Sequence, residues 1–417
     1  MGFQTGLSGL NASSKNLEVI GNNVANSTTV GAKSSRAEFS DMYATAISGT
    51  SVGIGVNLQA VTQQFTQGTL SSSENPLDLA INGNGFFQVS NNGQTLYTRN
   101  GQFHADNDGF IATSAGMKLM GYPAAADGTI QPGGVKPIQL PTTGIAPNPT
   151  SKIGIEVNLD SRKASTLPAT APMIDFSNAK TYNDASSVTV FDAKGQDVAM
   201  TYYFQKTATD NTWNVYATAN GTSTKVDAAG KPLPVTTVTF PANGGKPTAP
   251  ASAVTIDIPA TTNAAGASTV AMTAKLDLSG ATQFGSNFGV TNMTQDGYAA
   301  GQFTSITIDP SGIVMATYSN GQSKPAAQIE LATFRNQQGL SPIGGNLWSS
   351  TAASGGPTVG APSSGSLGTL KAGALEQSNT DLTGNLVDMI VAQRIYQANA
   401  QTIKTQDQVF QTLVNLR

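Results

Sequence analysis

The segment Leu382-Thr-Gly-Asn-Leu386-Val-Asp-Met389-Ile-Val-Ala-Gln-Arg-Ile-Tyr396-Gln-Ala-Asn-Ala-Gln-Thr-Ile403-Lys-Thr-Gln-Asp-Gln-Val-Phe410-Gln-Thr-Leu413 decides how this chain is organised. Leu382, Leu386, Met389, Tyr396, Ile403 and Phe410 fall, with Gln393, Ala400 and Asp407 among them, at alternating steps of four and three residues. That spacing puts side chains on one stripe of an α-helix and, when sustained, marks a coiled-coil seam. Leu413 belongs with the same apolar set, and Ile395, Val409 and Leu416 form a second row. Asn379-Thr-Asp381 offers N-cap side chains, and neither Gly nor Pro follows Gly384. The pattern predicts a helix over 381–415, roughly 50 Å long. Its outer face carries Gln397, Gln401, Gln406, Gln408 and Gln411, where a solvated helix would carry Glu and Lys. Two readings follow: a surface helix packed on its own domain, or a helix paired with the other end of the chain and packed against other chains.

The N-terminus repeats the pattern with Phe3, Leu7, Leu10, Ser14, Leu17, Gly21 and Val24. Between the ends the period changes to two, the mark of strands. Val198, Met200, Tyr202 and Phe204 alternate, Trp213, Val215 and Ala217 continue, and Val254, Ile256 and Ile258 do the same later. Asp192-Ala-Lys-Gly195 and Asp309-Pro-Ser-Gly312 supply turns. The expected fold class is multidomain, with all-β domains inserted between N- and C-terminal α-helices that pair as a coiled coil. The expected boundaries are 1–30 and 370–417 for the helical domain, and 31–70 and 363–369 for a connector. Residues 71–146 and 297–362 form one β-domain, and 147–296 a second, outer one. Stretches near 142–150, 241–252 and 260–274 read as loops or domain joints, and 350–368 as a flexible Gly- and Ser-rich connector.

Composition narrows the function. The 417 residues exceed one ordinary core. Only 11% are charged, against about 25% in typical soluble domains. A surface of amides and hydroxyls is buried against copies of itself at lower desolvation cost than a charged one. The net charge of −3 gives no basic footprint for nucleic acid. No apolar run approaches a membrane span, so no membrane insertion is expected. The N-terminus lacks the basic and apolar regions of a cleavable signal. The absence of cysteine rules out disulfides and thiolate metal sites.

No residue pattern points to catalysis, a metal or a cofactor. The single histidine, His104, has no triad or zinc partner in sequence. Asp106-Asn-Asp-Gly109 lacks the later acidic ligand of a calcium loop and reads as a β-turn. Gly83-Asn-Gly85 begins like a phosphate loop, but a strand-like Phe86-Phe-Gln-Val89 follows in place of a helix.

The internal segment Asn75-Pro76-Leu77-Asp78-Leu-Ala-Ile-Asn-Gly83-Asn-Gly85-Phe86-Phe87-Gln-Val89 resembles the signature of the bacterial flagellar rod and hook axial proteins. Tyr97-Thr-Arg-Asn-Gly-Gln-Phe103, Gly6-Leu-Ser-Gly-Leu-Asn11, Asn22-Asn-Val-Ala-Asn26 and Leu386–Asn399 are similar to further signatures of that family. The middle, notably Ser187-Val-Thr-Val-Phe-Asp-Ala-Lys-Gly195, and the overall length are similar to its hook-type members. One departure is Gly31-Ala32-Lys33, where family members usually carry an aromatic between Gly and Lys.

The resemblance implies a subunit exported without a cleaved signal by the flagellar type III apparatus. It implies polymerisation with itself into a short curved extracellular tube that transmits motor torque as a universal joint. Paired terminal helices would form an inner tube around the export channel, with Leu7, Leu10, Leu17, Val24 and the C-terminal row as the seam. The β-domains would form outer layers. The distal rod protein, the hook cap and the hook–filament junction proteins are the implied partners. Rival readings are a rod-type or cap-type axial subunit and, in a different class, a secreted β-rich adhesin or carbohydrate-binding module.

Overall fold

The computed structural model describes residues 2–44, 52–125, 127–166 and 174–415, and the chain divides into two compact units. One comprises Met1–Thr142, Thr304–Thr317 and Ser323–Arg417, and the other Thr143–Phe303 with Tyr318–Gln322.

The second unit is all β. One antiparallel sheet runs Asp184–Phe191, Asp197–Lys206, Thr212–Ala219, with Thr222–Ser223 and Thr236–Thr239 both paired to the last of these. The other centres on Lys152–Asp160, which takes Met272–Asp277 and Thr282–Phe284 in parallel and Gly289–Gln295 antiparallel. Period-two alternation explains why both sheets share one core. Val198, Met200, Tyr202 and Phe204 are all buried, and they meet Ile153, Ile155 and Val157 from the other sheet around Trp213. The Asp192–Gly195 turn forms as its sequence predicts. The Asp192 carboxylate Oδ1 accepts from the backbone N–H of Lys194 and Gln196, both at 2.8 Å, and Gly195 takes φ +77°.

The first unit holds the larger sheet, with a spine of Ser323–Ile329, Lys118–Pro123, Phe86–Asn91, Gln94–Thr98 and Leu347–Ser349. Phe86 and Phe87 are both fully buried because they point to opposite faces. Phe87 enters a core of Leu79, Ile81, Val89 and Ile329, and Phe86 an aromatic cluster with Tyr97, Phe334 and Trp348. The outgoing and returning chains pair on the way to this sheet: Leu70–Ser72 with Ala374–Glu376, and Leu79–Asn82 with Thr369–Ala372.

Helix α1 spans Gly2–Ala25 and helix α2 spans Leu382–Asn415. Two features depart from the sequence reading. Residues 31–70 contain a long antiparallel hairpin, Ser35–Ala44 with Val52–Gln63, bulged after Glu38 and Met42. The bulges shift the pairing register twice, so alternation along either strand does not give its partner. The stretch 350–368 is not a loose linker. Thr358–Gly360 pairs with Leu331–Thr333, and Ser354 is buried. Backbone pairing compensates there for the shortage of apolar side chains.

Candidate assembly surface

The two terminal helices pack antiparallel. A Cβ on Gly6 would lie 3.1 Å from Ile403 Cγ1, and one on Gly9 would lie 2.9 Å from Asn399 Nδ2. Further along, Asn399 Nδ2 donates to Ser13 Oγ at 3.5 Å, and Asn23 Nδ2 to Asn385 Oδ1 at 3.4 Å. The face that α1 turns inward is therefore Gly6, Gly9, Ser13, Ile20 and Asn23, and Gly6, Ser13, Ile20 and Asn23 are buried. Glycine admits the close approach because it has no side chain to displace. Asn23 also fixes the base of the hairpin, exchanging two 2.7 Å bonds with the backbone of Ser35.

The apolar row singled out in the sequence lies elsewhere. Phe3 and Leu7 are exposed, while Leu10, Leu17 and Val24 are half-buried. On α2, Leu382, Leu386, Tyr396 and Phe410 are exposed, and Met389 and Ile403 are half-buried. Of the C-terminal row, Ile403 is the member shown to touch α1. The Leu413 side chain lies outside the described residues. Val387, Ile390, Val391, Ile395, Val409 and Val414 are exposed as well, and Ala392 is the one buried side chain among those described on α2. The 4-3 spacing thus identifies an apolar stripe but not what covers it. Fully burying one such aliphatic side chain is worth about 1.5–3 kcal/mol. A contiguous exposed apolar surface of this extent marks an interaction site. Where α1, α2 and the hairpin meet, Val19, Ile20, Ala37, Val391, Ala392 and Ile395 line an open cleft of about 200 Å³.

The helices are anchored at a buried charge cluster that the sequence reading missed. Lys33 Nζ contacts Glu376 Oε1 at 2.6 Å, and Arg99 Nη1 contacts Glu376 Oε2 at 3.1 Å. Burial pulls both cations below their usual range, and the Glu376 carboxylate opposes this. Lys33 and Arg99 fall inside the quoted motifs, but nothing in sequence joins them to Glu376, which is 343 residues from Lys33.

The Asn75–Phe87 motif is a structural corner. Asn75 Oδ1 accepts from Leu77 N–H at 3.1 Å, Asn75 Nδ2 donates to Asp78 Oδ1 at 3.2 Å, and Pro76 sits exposed in the turn. Leu77 is buried below it. Gly83 and Gly85 take φ +110° and +129°, which lets the Gly83 carbonyl accept from Arg99 Nη2 at 2.9 Å. His104 is exposed on the strand Phe103–Ala105. Asp106 Oδ1 accepts from Asp108 and Phe110 N–H at 3.0 and 2.7 Å, which closes a turn. Ala32, at the departure noted in the sequence, is buried beside a pocket of about 210 Å³ that Asn22, Gln63, Asn346 and Trp348 also line.

Comparison with known proteins bears on the whole chain. Family models match in sequence along it: "Flagella basal body rod protein" over residues 3–33, "Flagellar hook protein FlgE/F/G D1 domain" over 80–160, "Flagellar basal body protein FlaE D2 domain" over 158–298, and "Flagellar basal body rod FlgEFG protein C-terminal" over 371–416. Flagellar hook protein FlgE of Escherichia coli K12 is 44% identical over 423 aligned residues, covering 100% of both chains. Its counterpart from Salmonella typhimurium is 43% identical at the same coverage, and that from Rhizobium meliloti is 32% identical over 100% of this chain and 98% of its own. The crystal structure of Helicobacter pylori flagellar hook protein FlgE2 shares the fold. It has a TM-score of 0.53 at 18% identity, and covers 74% of this chain and 100% of its own.

Proposed function

The chain belongs to the family of flagellar hook proteins, and from that premise we propose how it works as a subunit: α1 and α2 are the polymerising elements, and the β-units supply layers that let the tube bend. The family is structural and not enzymatic. It implies self-polymerisation within the flagellar hook, among rod and other flagellar components. The observation that carries the proposal is the set of large apolar side chains exposed on α2: Leu382, Leu386, Val387, Ile390, Val391, Ile395, Tyr396, Val409, Phe410 and Val414.

In this reading Leu7, Leu10, Leu17, Val24, Leu382, Leu386, Met389, Tyr396, Ile403, Phe410 and Leu413 become buried in the polymer, at helix contacts within and between copies. Burial of such rows resists twist, because rotating one helix past another exposes apolar area. Bending lengthens and shortens each row of subunits once per turn, so outer contacts must slide. Uncharged, wet, amide-rich contacts suit sliding because water bridges alternative pairings. The tube would then act as an extracellular universal joint between rod and filament. It would be fed by the type III export apparatus and would meet the distal rod protein, the hook cap and the hook–filament junction proteins. The domain division 1–30 with 370–417, 31–70 with 363–369, 71–146 with 297–362, and 147–296 is proposed as the set of radial layers.

Electron microscopy of the polymer grown from purified chain tests the proposal. Curved tubes are expected. Straight rods would favour a rod-type subunit, and no polymer at any concentration would sink the self-assembly claim.

A further inference from the structure

Four passes of the chain cross within a few ångströms where the helices join the sheet of the first unit. Residues 31–34 leave α1, 64–69 return from the hairpin, 376–379 lead into α2, and Arg99 comes from the sheet. Glu376, in the third of these, takes a bond from each of the other three. Its backbone carbonyl accepts from Gly31 N–H at 2.8 Å. Its carboxylate accepts from Lys33 Nζ at 2.6 Å, Gly68 N–H at 2.9 Å and Arg99 Nη1 at 3.1 Å. Lys33 Nζ donates its second bond to the Thr66 carbonyl at 2.8 Å, and Arg99 its second to the Gly83 carbonyl. The Arg99 guanidinium also lies 5.4 Å from the centre of the Phe86 ring, which ties the cluster to the aromatic core. Asn379 repeats the arrangement one step along: it accepts from Ser34 N–H and donates to the Gln64 carbonyl, both at 2.7 Å.

We infer that Lys33, Arg99 and Glu376 are positioning residues that lock the helix pair to the sheet of their unit, so that the two turn as one body under torque. Three arguments carry this. First, the Lys33 and Glu376 side chains are fully buried and that of Arg99 is 3% exposed. An ion pair in that setting contributes little net stability compared with an apolar plug of the same size, but its directional bonds define one register. Second, two cations share one carboxylate. Removing the carboxylate leaves like charges facing each other without solvent, so its loss disrupts the lock more than the loss of either cation. Third, α1 and α2 each reach the sheet through a segment bonded to Glu376 or to Asn379. Turning the helices against the sheet therefore strains the bonds at this point directly, along with the Asn346 bond to the Val30 carbonyl. This adds to the hook reading a specific route by which twist leaves the helices, and its mechanical part rests on that reading.

The test uses the full chain with Glu376→Gln, which keeps the shape and removes the charge. Amide exchange at Gly31, Gly68 and Gln377 is expected to rise by about tenfold or more, while Phe87 and Val89 in the sheet keep parent rates. Lys33→Met leaves the Arg99–Glu376 pair in place and should give a smaller rise at the same amides. It carries the test if Glu376→Gln fails to fold. In hooks assembled from either variant, torsional compliance should rise at unchanged hook length. Parent exchange rates in both variants would overturn the lock, and parent torsional stiffness would overturn its mechanical role. The exchange measurement is made on unassembled chain, so its outcome does not depend on whether the hook reading is right.

Discussion

Glu330 is fully buried between Ser323–Ile329 and Leu331–Thr333, where Tyr122 Oη donates to Oε1 at 3.2 Å and the buried Oε2 has no protein donor. Burial raises its pKa above the ordinary carboxylate value, and the Tyr122 bond only partly offsets this. The native state then holds the proton more tightly than the unfolded chain. Between the unfolded and the raised native pKa, the folded form binds more protons, so stability falls as pH rises through that window. Glu330→Gln should remove this slope, and denaturant unfolding from pH 4 to 8 should show the variant gaining on the parent as pH rises. A constant difference across that range would contradict the assignment. Gly101 makes a second residue-level case. A Cβ there would sit 1.6 Å from the Leu79 carbonyl oxygen. Gly101→Ala should cost about 1–3 kcal/mol by overpacking, read as a lower urea midpoint. The sequence quotes Gly101 within a motif, but the reason for glycine is a carbonyl on another strand, which no local pattern records. Turns such as Asp106–Gly109 and Asp192–Gly195 were legible because their bonds close within five residues.

At the scale of elements, periodicity located both helices. The helix expected over 381–415 is found at Leu382–Asn415. What it could not assign was the partner of each face. The contact between α1 and α2 passes through Gly6, Gly9, Ser13 and Asn23, residues that a search for apolar spacing passes over. This separates two substitutions that the sequence treats alike. Ile403 touches α1, so Ile403→Asp should loosen the helix pair within one chain by about 1–3 kcal/mol. Leu386 is exposed, so Leu386→Asp should leave the unassembled chain unchanged. Amide exchange in α1 checks both: faster with Ile403→Asp, unaltered with Leu386→Asp. Equal effects would mean that the two residues serve the same contact. The hairpin Ser35–Gln63 was missed although Val52, Ile54, Val56 and Leu58 alternate with Gly53, Gly55 and Asn57; the pairing with Ser35–Ala44 shifts register twice, which the alternation does not record.

For the whole molecule, the order of helix, β-rich middle and helix was readable, because helical and strand periods differ and the middle is long. How the outgoing and returning chains pair was not readable, since each contact joins residues some 300 apart in sequence. The two tryptophans lie one in each unit, and both are buried: Trp348 among Phe86 and Phe334, Trp213 in the other core. Trp213→Phe and Trp348→Phe chains should therefore report separate unfolding transitions, since the units have separate cores. Coincident midpoints in both would contradict independent units. The central claim is that apolar rows exposed on the terminal helices build the polymer. Electron microscopy of full-length Leu386→Asp beside the parent, at matched concentration, tests this most directly. Curved tubes from the parent and only unassembled chain from the variant are expected, and tubes of parent length and curvature from the variant would contradict it.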